Sequence, residues 1–167
     1  TMPPKIRKLA ASILRDPIEV EIAISRPPES IMQSAYICYE AQKLPILRKL
    51  FEQSAPKRTI IFASAKLKVR ELTSTLRKMG FNVADMHSDL EQSQREQVMR
   101  DFKNGYVDVL VATDIVARGI DIDNIRVVIN YDIPHDPEDY VHRIGRTARG
   151  TNGEGLAITF VSEEEQS

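Results

Sequence analysis

Between residues 31 and 161 the chain alternates between two hydrophobic periods, short apolar runs and longer stretches with an apolar side chain every third or fourth position. The apolar runs predict strands at 31–39, 59–63, 81–86, 107–112, 126–130 and 156–161. The longer stretches predict helices. Leu44–Gln53 turns Ile46, Leu47, Leu50 and Phe51 inward, and Lys66–Met79 lines up Val69, Leu72, Leu76 and Met79. Glu91–Lys103 carries Val98 and Phe102 on one side. Gly80 and Gly105 fall where the second and third of these helices should stop. Ahead of this region, Pro3–Arg15 has a helical stripe of Ile6, Leu9, Ala10, Ile13 and Leu14, stopped by Asp16-Pro17. Ile18–Ile24 alternates apolar and acidic residues as a one-sided strand does, and Ser25–Glu29 is a proline-stiffened linker. Asp136-Pro137-Glu138-Asp139 supplies a cap, a first-turn proline and early acids for one more helix, and 163–165 is an acidic tail.

Strands that are apolar throughout and alternate with helices imply an α/β fold, a parallel sheet covered by helices on both faces. In such sheets ligands bind at the carboxyl ends of the strands. The polar residues of this chain concentrate on the loops that follow the strands: Ser64 and Ala65, His87–Gln92, Thr113–Asp121 and Tyr131–Asp136.

Composition narrows the options. The chain has 167 residues, 42% hydrophobic and 28% charged, enough for one main domain with a substantial core. Its formal charge is -1, so any grip on nucleic acid must come from a few placed residues. The single cysteine, Cys38, rules out an internal disulfide, fits a reducing, cytoplasmic setting, and lies in an apolar run as a bystander. No stretch reads as a membrane span or secretory leader. Three histidines scattered over loops with one cysteine make a poor zinc site, so no metal ligands are assigned. No Gly-x-x-x-x-Gly-Lys-Ser/Thr loop exists to cradle a triphosphate.

The candidate chemistry lies in two segments. Thr113-Asp114 followed by Ala117-Arg118-Gly119-Ile120-Asp121 brings together hydroxyl, carboxylate, glycine and arginine, a set suited to phosphate and ribose. The same loop could instead be a turn that satisfies its own backbone. Farther on, His142-Arg143-Ile144-Gly145-Arg146-Thr147-Ala148-Arg149 repeats arginine every third residue. Guanidinium is always charged and presents a planar fork to phosphate, although a glycine-capped basic helix end would look alike. Gln92 and Arg95, taken alone, are compatible with helix capping.

Together these segments resemble the C-terminal RecA-like domain of DEAD-box ATP-dependent RNA helicases, over essentially the whole chain. Ile60–Lys66 (IIFASAK) resembles motif IV, Gln92 with Arg95 motif IVa, Ala112–Ile122 (ATDIVARGIDI) motif V, and His142–Arg149 (HRIGRTAR) motif VI. Met86–Gln92 is most similar to bacterial RhlE-type members. Thr1-Met2-Pro3 resembles the end of motif III. On that basis residues 1–25 are expected to be the tail of a first RecA-like domain, 26–30 a linker and 31–165 the helicase C-terminal domain.

The resemblance implies a P-loop NTPase-type motor lobe that works with a separate N-terminal RecA-like domain, which holds most of the ATP and its Mg2+. It implies catalytic contacts to the γ-phosphate by Arg146 and Arg149, nucleotide contacts by Asp121 and Gly119, and RNA backbone contacts by Arg95, Gln92, Thr113, Arg118 and Ser64. His142 and Arg143 would tie motif VI to other motifs across the interface between the domains. Two positions depart from the family pattern. Ala65 replaces a threonine whose hydroxyl touches RNA phosphate, and Ala148 replaces a glycine. A non-catalytic RNA-binding or regulatory module of the same fold is the alternative, as is a DNA helicase of the same superfamily. The chain is expected to be monomeric, with possible pairing through the apolar stripe of residues 6–14.

Overall fold

The structure is a computed structural model and describes residues 31–113, 125–133, 143 and 155–162. It contains β1 (Ile31–Cys38), a 3-10 turn (Glu40–Gln42), α1 (Lys43–Gln53), β2 (Thr59–Phe62), α2 (Lys66–Lys78) and β3 (Val83–Met86). These are followed by α3 (Gln92–Lys103), β4 (Val109–Ala112), β5 (Val127–Asn130) and β6 (Gly155–Ser162). The segments predicted for 3–15, 18–24, 25–29, the helix from Asp136 and the acidic tail lie outside the described residues, apart from Arg143, which is helical.

The strands form one six-stranded sheet in the order β1-β6-β5-β2-β4-β3. Each pairing is parallel. Consecutive residues of a strand face opposite ways, so β2 sends Ile61 to one core and Ile60 and Phe62 to the other. On the first face Leu47, Leu50 and Phe51 of α1 and Val69, Leu72 and Leu76 of α2 join Val109, Val111, Ile129 and Phe160. On the second, Phe102 of α3, with Val98 and Met99 against it, covers Leu110, Ala112 and Val128. The predicted two-sided cover is therefore present. It explains why β2 and β4 are buried at every position.

Helix ends fall where local chemistry stops them. Gly80 has φ +95 and Gly105 φ +84, a left-handed conformation that costs glycine nothing. At the start of α3 the Glu91 N–H donates to Gln94 Oε1 at 2.8 Å, one half of a capping box. Arg58 adopts φ 52 without being glycine. Its Nη1 donates to Phe102 O at 2.6 Å and its guanidinium lies 4.9 Å from the Phe102 ring centre. The left-handed turn thus lets one side chain close the carboxyl end of α3.

Candidate functional site

Strand register defines a common edge. Phe62 is level with Ala112 of β4 and with Asn130 of β5, and Met86 of β3 is level with Ala112. The residues just past these positions, Asp132, Ser64, Thr113 and His87, therefore follow one another along the carboxyl ends of β5, β2, β4 and β3. Of the predicted RNA-contact residues, Ser64 and Thr113 sit on this edge. Ser64 is exposed and Thr113 half-buried. Gln92 and Arg95 lie in the first turn of α3, which leaves the edge after β3. Arg95 Nη2 donates to Ser88 O at 3.3 Å, while its buried Nε has no hydrogen-bond acceptor.

His87 is buried beside this turn. Its Nδ1 lies 3.2 Å from the Asp89 N–H, which donates to it, and its Nε2 faces Asp85 Oδ2 at 3.1 Å. Asp89 in turn receives Lys66 Nζ at 3.1 Å and Arg70 Nη2 at 3.0 Å. The hydrogen bond and charge of Lys66 outweigh slight desolvation, so the Asp89 carboxyl sits below its ordinary value.

Behind Ser64 is a charged cluster that the sequence reading did not identify. Lys43, the first residue of α1, is fully buried. Its Nζ lies 2.8 Å from Glu40 Oε2, 3.2 Å from Asp132 Oδ1 and 5.5 Å from the centre of the Tyr131 ring. Lys68 of α2 reaches the same two carboxylates, at 3.1 Å from Glu40 and 3.0 Å from Asp132. Asp132 Oδ2 also accepts the Ser64 N–H at 2.7 Å. Burial alone would raise the Asp132 carboxyl. The Ser64 N–H and the two ammonium groups overcome it, and the group lies below its ordinary value. The same competition holds Glu40 low and, with the sign reversed, Lys43 and Lys68 high. Burial and the neighbouring carboxylates push the Tyr131 hydroxyl up. The signal available in the sequence was the placement of Lys43, three, four and seven positions ahead of Ile46, Leu47 and Leu50, on the buried face of its helix.

Arg143, expected to help tie motif VI to other motifs across the interface between the domains, is 3% exposed. Its Nη1 donates to Asn130 Oδ1 at 3.0 Å and to Asp132 O at 2.8 Å. Its guanidinium carbon lies 4.9 Å from the centre of the Phe62 ring. Asn130 is fixed in turn by donating to Thr159 Oγ1 at 3.0 Å. Arg143 therefore anchors its segment to the end of β5 within its own lobe. Arg118, Gly119, Asp121, His142, Arg146 and Arg149 lie outside the described residues.

A parallel sheet covered on both faces, with hydroxyl and basic residues gathered on its carboxyl edge, is the architecture of a RecA-like motor lobe. Residues 42–151 match the model of the helicase conserved C-terminal domain. The chain is 42% identical over 166 residues to the ATP-dependent RNA helicase CshA of Listeria monocytogenes, a match covering 99% of this chain and 32% of that protein. It is 45% identical to the ATP-dependent RNA helicase DeaD of Mycobacterium tuberculosis over 166 residues, 99% of this chain and 29% of that one. The solved C-terminal domain of the DEAD-box protein Dbp5 superposes with TM-score 0.75 at 34% identity, covering 83% of this chain and 81% of that domain. A DEAD box protein from Methanococcus jannaschii superposes with TM-score 0.76 at 36% identity, over 99% of this chain and 44% of the other. The chain belongs to the helicase conserved C-terminal domain family, in its DEAD-box branch. It spans about a third of the length of the curated relatives it matches.

Proposed function

We propose that this chain is the second motor lobe of an ATP-dependent RNA helicase. It would act with an N-terminal RecA-like lobe that holds most of the ATP and its Mg2+. On this reading residues 1–25 belong to that first lobe, 26–30 link the two, and 31–165 form the lobe described above. Arg146 and Arg149 reach the γ-phosphate when the lobes close, Asp121 and Gly119 hold the nucleoside, and Arg95, Gln92, Thr113, Arg118 and Ser64 grip RNA phosphates without regard to base.

The observation that carries the reading is the anchoring of Arg143. The arginine series begins at a residue bonded to the end of β5, on the edge that also bears Ser64 and Thr113. Phosphoryl transfer depends on fixed positive partners for charge that develops on oxygen, and an arginine finger is worth about 10³–10⁵ in rate. In the intact protein, Arg149→Ala should lower RNA-stimulated ATP hydrolysis by about 10³-fold or more while nucleotide binding largely survives. Hydrolysis at the parent rate would overturn the role given to Arg149.

On the same reading the protein works in the cytoplasm as a monomer, and pairing with a second copy, where it occurs, runs through residues 6–14. Among the described residues no helix is long and apolar enough to cross a membrane.

A further inference from the structure

Asp132 is bonded on two sides, by two different groups. Its carboxylate accepts the Ser64 N–H at 2.7 Å, which fixes the turn that carries Ser64 and Ala65 into α2. Its backbone carbonyl accepts Arg143 Nη1 at 2.8 Å, which fixes the start of the arginine series. The side chain is 7% exposed, so neither bond competes with bulk water. Lys43 and Lys68 hold the remaining oxygen from α1 and α2, at 3.2 Å and 3.0 Å, so the carboxylate cannot rotate away from Ser64 without losing both. Short, charge-assisted bonds of this kind fix geometry more tightly than neutral ones do.

We infer that Asp132 is a positioning residue that couples the RNA-facing turn after β2 to the nucleotide-facing arginine segment. The inference rests on the proposed function, because it takes Ser64 to face RNA and the arginine series to face ATP. A shift of Arg143 pulls on the Asp132 backbone. The carboxylate on the same residue carries that shift to the Ser64 amide, and RNA bound at the turn acts in the reverse direction. Binding at each site then favours binding at the other by one and the same factor.

The experiment measures that factor in the intact protein, as the affinity for a non-hydrolysable ATP analogue with saturating single-stranded RNA divided by the affinity without it. Asp132→Asn keeps the volume and the backbone carbonyl but loses the charge. It should reduce the factor about tenfold, with analogue affinity in the absence of RNA little changed. Lys57→Gln, which removes an ion pair with Asp108 at the other end of the sheet and touches neither Asp132 nor Ser64, should keep the parent factor. A merely weakened fold would lower both affinities together and leave their ratio unmoved. A second measurement needs no variant: on the parent protein, the ATP analogue alone should slow hydrogen exchange at the Ser64 amide.

A parent-like factor in Asp132→Asn, a tenfold loss in Lys57→Gln, or Ser64 exchange indifferent to the analogue would overturn the role of Asp132. A parent protein that shows no coupling between RNA and nucleotide would overturn the proposed function, and this inference with it.

Discussion

Two kinds of charged residue lie along the strand ends. Lys66, Arg70 and Asp89 pair in water, where such contacts contribute little. Lys43 and Asp132 pair out of water, where removing either partner strands the other. The direction of the Asp132 shift fixes how its contribution should depend on pH. Its folded-state value is below the ordinary one, so the stabilisation is complete above the usual carboxylate range and is lost as pH falls through the depressed value. Lys43 and Lys68 are shifted upward, so their contribution holds below the ordinary lysine value and fades only at more alkaline pH. Urea unfolding of Asp132→Asn against the parent should therefore show a loss of about 1.5–3 kcal/mol near neutrality. The gap should narrow once pH drops below about 4. A gap independent of pH would mean that the charge contributes nothing.

Secondary elements take their stability from which face is buried. Leu76 of α2 is fully covered and Leu67, in the first turn of the same helix, is 65% exposed. Leu76→Ala should cost about 2–5 kcal/mol, and Leu67→Ala should stay within about 0.5 kcal/mol. Thermal unfolding of the two variants gives the comparison, and equal losses would mean that α2 is not seated as described. This is also the scale at which the sequence was most legible. The stripe of Val69, Leu72 and Leu76 and the glycines at 80 and 105 located α2 and α3 to within a residue at each end, because period and capping are local properties. Strand starts were anticipated too early, at 81 for Val83 and at 107 for Val109. In both cases the anticipated first residue, Phe81 or Val107, is apolar but is followed by a polar one, Asn82 or Asp108, and the ladder begins only after it. The 3-10 turn at Glu40–Gln42, three residues held by Tyr39 and Gln42, is too short to show a period, and the Lys43–Asp132 cluster was missed because its cause is not local. Lys43 and Asp132 are 89 positions apart, and only the sheet order brings them together. For the same reason a short motif could mark Arg143 as functional but could not show which way its guanidinium turns.

Taken whole, the described residues form a braced edge, and the sequence contains no Gly-x-x-x-x-Gly-Lys-Ser/Thr run of the kind that cradles a triphosphate. On the proposed function this chain by itself should hydrolyse no ATP, with or without RNA. Phosphate release from the purified chain above a heat-killed control would contradict that. The turns at Gly80 and Gly105 lie at the amino ends of β3 and β4, across the sheet from Ser64, Thr113 and Asp132. Tyr106, in the second of these turns, is 74% exposed. A fluorophore attached at that position would ride on the lobe without obstructing either nucleic acid or nucleotide. On the proposed function, pairing it with a dye on the first lobe would turn opening and closing into a distance readable in single molecules.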